Sequence, residues 1–330
     1  MRKIKYREAI VEAIAEEMER DPSVVLFGED VASAGGTFLQ TRGLLDRFGP
    51  DRVRDTPISE ATLVGMAVGA AMTGLRPIVE IMFLDFLTLA ADQLVNHAAK
   101  VASVSAGAFG VPMVMRTISG AGRSGGPQHA QSLESWIAHV PGLKVVLPST
   151  PADAKGLMAT AIRDDNPVCY LMHYLLVLEH GDVPEGEYLV PFGEAAVRRE
   201  GGDVTIVATG WTVGRALAAA ETLAGEGIQA EVIDPRTIAP LDTATILSSV
   251  QKTGRLVIAD QSTRHGGASP VIAAEVAEHG FSSLKAPIVH VTAHDVTVPY
   301  SEPMEAFVLP DDEKIAGAVR QVLGEAPVAA

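Results

Sequence analysis

Short apolar, β-rich runs alternate with segments of helical periodicity from one end of this chain to the other, and this alternation constrains its fold most. In the first half the runs are VVLFG (24–28), PIVEIMF (77–83), VPMVMRT (111–117), KVVLPS (144–149) and PVCYLMH (167–173). Strands that are apolar without a period-two break are buried on both faces, so helices must cover both sides of their sheet. In the second half DVTIVATG (203–210), QAEVIDP (229–235), RLVIAD (255–260) and PIVHVT (287–292) repeat the pattern. Helices near 212–225, 241–252 and 267–279 separate them, and a last helix spans Asp312 to Leu323. The fold class is therefore α/β, with mostly parallel sheets flanked by helices.

Capping residues locate two helices of the first half. Ser59 precedes a helix rich in small residues (Gly65, Ala67, Gly69, Ala70, Ala71) that ends at Gly74, where glycine tolerates a left-handed cap. Thr150-Pro151-Ala152-Asp153 sets an N-cap hydroxyl, a proline at the first helical position and an acid at the third. Between Leu176 and Asp203 glycine, proline and charges break every period. The 330 residues thus divide into two domains, 1–190 and 191–330. Basic residues number 26 against 41 acidic, a net charge of −15 with no Lys/Arg run, which excludes a nucleic-acid partner. The single cysteine, Cys169, lies in an apolar run and reads as a buried hydrophobe in a reducing compartment. No stretch reaches the roughly 18 apolar residues of a membrane span, and the N-terminus lacks a signal-peptide core. A soluble, cytoplasmic protein is expected.

Three constellations carry candidate chemistry. Gly120-Ala-Gly122-Arg-Ser-Gly125-Gly126 matches G-x-G-x-x-G, but no helix opens at once and no acidic strand residue follows, so a close-approach loop is preferred to a nucleotide site. Glu60 stands in the first turn of the small-residue helix among Ile58, Leu63, Val64 and Met66. A carboxylate there is ordinarily a partner of the helix dipole, and on the residues alone that role leads over proton work in an apolar pocket. His129 follows the glycine loop, where α/β sites form, and suits acid/base or substrate-binding work. His139 and His97 read as structural, and the histidine spacing supports no metal cluster.

The runs GEDVASAGGTF, RVRDTPISEA, GLRPIVEIMFLDFLTLAADQLVNHAAK, HVPGLKVVLPSTPADAKGL and EVIDPRTIAPLD, in that order over residues 3–325, resemble the beta subunits of thiamine-diphosphate-dependent 2-oxo acid dehydrogenases, the pyruvate and acetoin dehydrogenase beta chains among them. The resemblance implies a pyrimidine-binding thiamine-diphosphate domain followed by a transketolase C-terminal-like domain. It implies an alpha subunit in a heterotetramer of two alpha and two beta chains, with the alpha chain holding magnesium and the diphosphate through a Gly-Asp-Gly motif. No such motif occurs here, leaving this chain the pyrimidine end. Carried over, Glu60 is the acid at the pyrimidine ring nitrogen, Met82 and Phe86 line the ring, and His129 lies near the reacting carbonyl. Met113, Ala161, Asp164 and Asn166 match a structural potassium site, although a turn held by Asp164 explains the same residues.

The implied activity is oxidation of a small 2-oxo acid, or of acetoin, in a multienzyme complex, with the acyl group passed to lipoamide on a dihydrolipoyl acyltransferase. Three departures lie toward the substrate and partner side: VASVSAG at 101–107, Ala130 after His129, and Met172-His173-Tyr174. They keep lipoyl-independent acyl transfer or carboligation open as an alternative. A C-terminal subunit of a split transketolase and a non-catalytic scaffold are the other two.

Overall fold

The computed structural model describes residues 1–324; residues 325–330, the end of the expected second domain, lie outside the described residues. The chain divides into two compact units, Met1–Ser119 with Ile137–Phe192, and Gly120–Trp136 with the segment from Gly193 onward. The sequence puts a single division at 190/191. The structure instead divides at Phe192/Gly193 and gives residues 120–136 to the second unit, which they bond at separations of up to 183 residues in sequence. No local pattern encodes pairings of that range.

Within the first unit, parallel strands run in the order Lys144–Val146, Val168–His173, Val114–Ser119, Arg76–Phe83, Val24–Gly28, Val53–Asp55. Helices Tyr6–Arg20 and Pro151–Arg163 pack together and bury apolar stripes, among them Ile10, Ile14, Leu157 and Met158. Each fully buried Ile, Leu or Met contributes about 1.5–3 kcal/mol. Thr150 caps the second helix as its spacing predicts, accepting from Asp153 N at 3.1 Å. Ser59 holds the cap position of helix Glu60–Met72, but its hydroxyl bonds Thr62 Oγ1 at 2.8 Å instead of a backbone N–H. The chain leaves that helix through Gly74 at φ +100°.

Two expected strands are displaced. The run 111–117 becomes Val114–Ser119, because Pro112 has no N–H to give a ladder, and 144–149 stops at Val146, short of Pro148. Arg2–Lys5 and His180–Val183 form an antiparallel pair that has no apolar run to announce it. Strands Arg76–Phe83 and Val114–Ser119 carry an opposed charge pair: Glu80 faces Arg116 in register, both are buried, and Arg116 Nε donates to Glu80 Oε2 at 2.8 Å.

The second unit holds a sheet in the order Val289–Ala293, Leu256–Thr263, Val204–Ala208, Ala230–Asp234, Ala196–Arg199, parallel except for the last strand. Alternate residues serve opposite faces. Val204, Ile206 and Ala208 join a core with helices Thr212–Gly225 and Asp312–Leu323, while Val207 joins another with Thr243–Thr253 and Ala268–His279. This layering matches the α/β class that the sequence predicts. No helix among the described residues is long and apolar enough to cross a membrane.

Candidate active site

Parallel sheets gather ligands beyond the carboxyl ends of their strands, where the strand order reverses. In the first unit the chain runs from Val24–Gly28 outward to Val53–Asp55, then returns to Arg76–Phe83 on the opposite side. The reversal therefore lies beside Gly28 and Phe83. Glu29 follows the first of these strands, Glu60 follows the second after a short loop, and Phe86 follows the third.

Glu60 is the first residue of its helix and is only 8% exposed. Among the described residues its carboxylate accepts no hydrogen bond and makes no ion pair. Leu63 and Val64 are buried beside it in sequence, whereas Ile58 and Met66, expected among its apolar surroundings, are exposed at 72% and 43%. The helix is amphipathic in an unusual sense: one side packs closely, a Cβ on Gly65 meeting Gln93 Oε1 at 3.1 Å, and the other carries bare methionine and glycine.

Burial raises the pKa of Glu29, and the charges of Asp30 and Glu60 push it further up. The folded state thus binds this proton more tightly than the unfolded chain, so Glu29 stabilises the fold at low pH and that contribution is lost as pH rises through its raised value. Glu29→Gln is expected to lift the melting temperature near neutral pH and to leave it little changed near pH ~3, below the ordinary glutamate range. Melting curves of both proteins across that interval check this, and parallel curves would remove Glu29 from the site.

Met82 is half-buried in its strand, and Phe86 is half-buried just after it. Phe86 meets Phe83 edge-on at 6.0 Å, Phe83 meets Phe38 at 6.4 Å, and Phe38 meets Tyr174 at 5.0 Å. Phe38 and Leu39 hold positive φ of 57° and 63°, backbone strain of the kind that functional loops store. The sequence does not single out Glu29 or Phe38, and it marks Tyr174 only as part of the departure Met172-His173-Tyr174. An acid directly after a buried strand, as in VVLFGED, is the available signal for Glu29; nothing local marks Phe38.

The four residues expected around potassium gather at one corner through a turn. Asp164 Oδ1 accepts from Asn166 N at 2.9 Å and from Asn166 Nδ2 at 3.0 Å. The Ala161 carbonyl accepts from Asp164 N, and the Met113 carbonyl accepts from Val168 N. The other oxygen of Asp164 pairs with the Lys144 ammonium. Lys144 thus neutralises the carboxylate within the chain, and the turn accounts for these bonds without an added ion.

His129 stands in the second unit, on a loop pinned at several points. Gly120 N donates to Gln131 O at 3.3 Å across its base. Gln261 Nε2 donates to Ala121 O at 3.2 Å, and Arg123 donates to the His129 carbonyl at 2.6 Å. Gly122 N and Ser124 N donate to the two carboxylate oxygens of Glu305 at 2.9 and 2.8 Å. Backbone N–H groups that a dinucleotide loop turns on phosphate here serve a carboxylate of the same chain, which explains why the glycine pattern is no nucleotide fingerprint. Ala130 is buried with Ala121, Val308 and Leu309, an apolar setting in which a serine hydroxyl would need a new partner. A cavity of about 380 Å³ lies behind the loop, with Gln131, Gln261, Thr263, His265 and Asp295 on its walls.

His97, expected in the core, is instead about half exposed on a π-helical turn, 3.6 Å from Asp92, and His139 is exposed. Cys169 is fully buried, and burial raises its thiol pKa, which suits packing and not nucleophilic attack. Among the described residues no cluster of three or more His, Cys, Asp or Glu side chains is placed to hold a metal ion.

The sequence pattern of the family described as "Transketolase, pyrimidine binding domain" matches residues 2–177, and that of "Transketolase, C-terminal domain" matches 193–315. The chain is 46% identical to the acetoin:2,6-dichlorophenolindophenol oxidoreductase subunit beta of Cupriavidus necator, over 98% of each chain. It is 47% identical to the pyruvate dehydrogenase E1 component subunit beta of Rickettsia felis, over 97% of this chain and 98% of the relative. A solved structure titled "Split gene transketolase, inactive beta4 tetramer" aligns at TM-score 0.79 and 24% identity, covering 97% of this chain and 98% of that one; at that identity the likeness concerns the fold alone. The chain belongs to the thiamine-diphosphate-dependent, transketolase-type family of dehydrogenase E1 beta subunits.

Proposed function

We propose that this chain is the catalytic beta subunit of a thiamine-diphosphate-dependent 2-oxo acid or acetoin dehydrogenase, acting in the cytoplasm with an alpha chain in an assembly of two alpha and two beta subunits. The observation that carries this reading is Glu60, a nearly buried carboxyl group with no partner among the described residues, at the carboxyl edge of a parallel sheet where the strand order reverses. Bound thiamine diphosphate supplies the electron sink for breaking the bond beside the carbonyl carbon. Glu60 holds and exchanges a proton at the pyrimidine nitrogen, while Met82 and Phe86 line the ring. The sequence has no Gly-Asp-Gly motif and no side-chain cluster among the described residues is placed to hold a metal ion, so the diphosphate and its magnesium are assigned to the alpha chain. Ile58, Met66, Met72 and Leu89 are exposed on or beside helix Glu60–Met72 and offer an alpha chain an apolar face to bury.

His129 acts in acyl transfer. With pyruvate as substrate, carbon dioxide leaves, the lipoamide disulfide accepts the electron pair, one sulfur becomes the acetyl thioester, and the other takes one proton to become a thiol. His129 delivers that proton. The complex with its alpha chain, thiamine diphosphate and magnesium is expected to reduce 2,6-dichlorophenolindophenol with pyruvate or acetoin, and the ratio of kcat/KM values names the substrate. An assembled complex inert toward 2-oxo acids and acetoin alike would overturn the assignment. His129→Ala is expected to slow transfer to a lipoylated acyltransferase domain by about 10²–10⁴-fold with far less effect on dye reduction; equal losses would remove His129 from acyl transfer.

The departures at 101–107, Ala130 and Met172 support a second reading, transfer to a small aldehyde. Pyruvate, an aldehyde and one proton then give an acyloin and carbon dioxide, with no electron acceptor. Acyloin formed by a complex that fails to acylate the lipoylated domain selects this reading.

A further inference from the structure

We propose that Glu305 is the positioning residue for His129: its carboxylate sets the shape of the loop that carries the imidazole. The proposal rests on the acyl-transfer role of His129 given above. Glu305 lies on helix Glu302–Val308 and is buried, and its two oxygens each accept one loop N–H, from Gly122 and Ser124. Bonds from backbone N–H to a charged carboxylate are about twice as strong as neutral ones. The geometry they enforce is costly by itself. Gly120, Gly122 and Gly126 hold φ of +87°, +106° and +67°, and Ser124, which has a Cβ, holds +58°. A serine stays in that region only when its surroundings overdetermine it, and the carboxylate on its own N–H does so.

The same short segment of chain grips the loop at two further places. Tyr300 lies so close to Gly126 that a Cβ there would sit 2.2 Å from its ring. Val308 and Leu309 pack on Ala121, within the glycine run, and on Ala130, beyond it. Arg123, between the two clamped residues, donates to the carbonyl of His129. Movement at Gly122 or Ser124 is thus transmitted to the backbone of His129 by one side chain. Glu305 touches no reacting atom, so its influence is on where the imidazole stands, and a misplacement of about 1 Å costs about 100-fold in rate.

Glu305→Ala empties a space shaped for a carboxylate and leaves two N–H groups directed into it, so acetate should substitute for the missing side chain. In the complex with the alpha chain, Glu305→Ala is expected to slow transfer to the lipoylated domain by about 10- to 100-fold and to leave dye reduction near the wild-type rate. Added acetate restores transfer, and acetamide, which has the shape without the charge, does not. Hydrogen exchange at the Gly122 and Ser124 amides accelerates in Glu305→Ala and slows again with acetate, a readout independent of any reaction. Glu305→Gln, which keeps one acceptor oxygen, falls between Glu305→Ala and wild type. An unchanged transfer rate in Glu305→Ala overturns the proposal, as does parallel loss of both half-reactions without acetate rescue. A wild-type complex that neither transfers acyl groups nor depends on His129 sinks the underlying functional reading instead, while amide exchange still reports on the clamp.

Discussion

Glu60→Gln is expected to lower turnover with 2-oxo acid or acetoin, measured by dye reduction in the complex with the alpha chain, by about 10²–10⁴-fold, the range for removing a positioned proton-transfer group. Glutamine keeps the volume and one acceptor oxygen but cannot exchange a proton with a ring nitrogen. The physical signature that separates this from a folding defect comes from Glu29. The Glu60 charge helps hold the Glu29 pKa up, so neutralising Glu60 relieves a repulsion and lets Glu29 ionise more easily. The variant should therefore melt no lower than wild type at neutral pH. Activity lost without stability lost is the expected pair of results; wild-type turnover by Glu60→Gln removes the carboxyl group from catalysis.

Breaking the buried pair between Glu80 and Arg116 should have the largest effect on stability. Among the described residues, Glu80→Leu leaves the guanidinium of Arg116, fully shielded from solvent, with no paired carboxylate, its Nη1 still donating to the Gln40 carbonyl at 3.2 Å. Removing one partner of a buried pair costs about 3–5 kcal/mol, whereas replacing both with apolar residues of similar volume is often neutral. The double variant Glu80→Leu, Arg116→Met should recover most of the loss. For a unit of this size each kcal/mol corresponds to about 2–4 °C in melting temperature, so thermal unfolding resolves the series. A loss below about 1 kcal/mol in Glu80→Leu would mean that water reaches the guanidinium.

Strands whose stabilisation comes from their own apolar residues were legible. Val24–Gly28, Arg76–Phe83 and Val168–His173 lie within a residue of their apolar runs, and Asp312–Leu323 matches its expected span. Where proline removed a donor, at Pro112 and Pro148, the apolar run outlasted the hydrogen-bond ladder. His97 was misjudged because a histidine in an apolar stretch has no fixed side until the turn of the helix is known, and here the helix widens to a π turn. Ile58 and Met66 stand near Glu60 in sequence, yet Ile58 lies on the loop before the helix and Met66 on the helix's outer side, so neither shields the carboxyl group.

The residues of the candidate site divide in the same way. Glu60, His129, Met82 and Phe86 stand in quotable motifs, whereas Glu29 and Glu305 act through neighbours that only folding supplies. By itself the sequence determined the α/β class, the alternation of strands and helices, and the stretches able to carry chemistry, because burial on both faces and helix capping are local and leave a pattern in the chain. Only the tertiary structure decided that Glu60 stands without a partner among the described residues, that Lys144 pairs with the Asp164 carboxylate, and that residues 120–136 belong with the second unit under Glu305. Each of those depends on a charge or N–H meeting a partner distant in sequence, a pairing that closes only when the chain does.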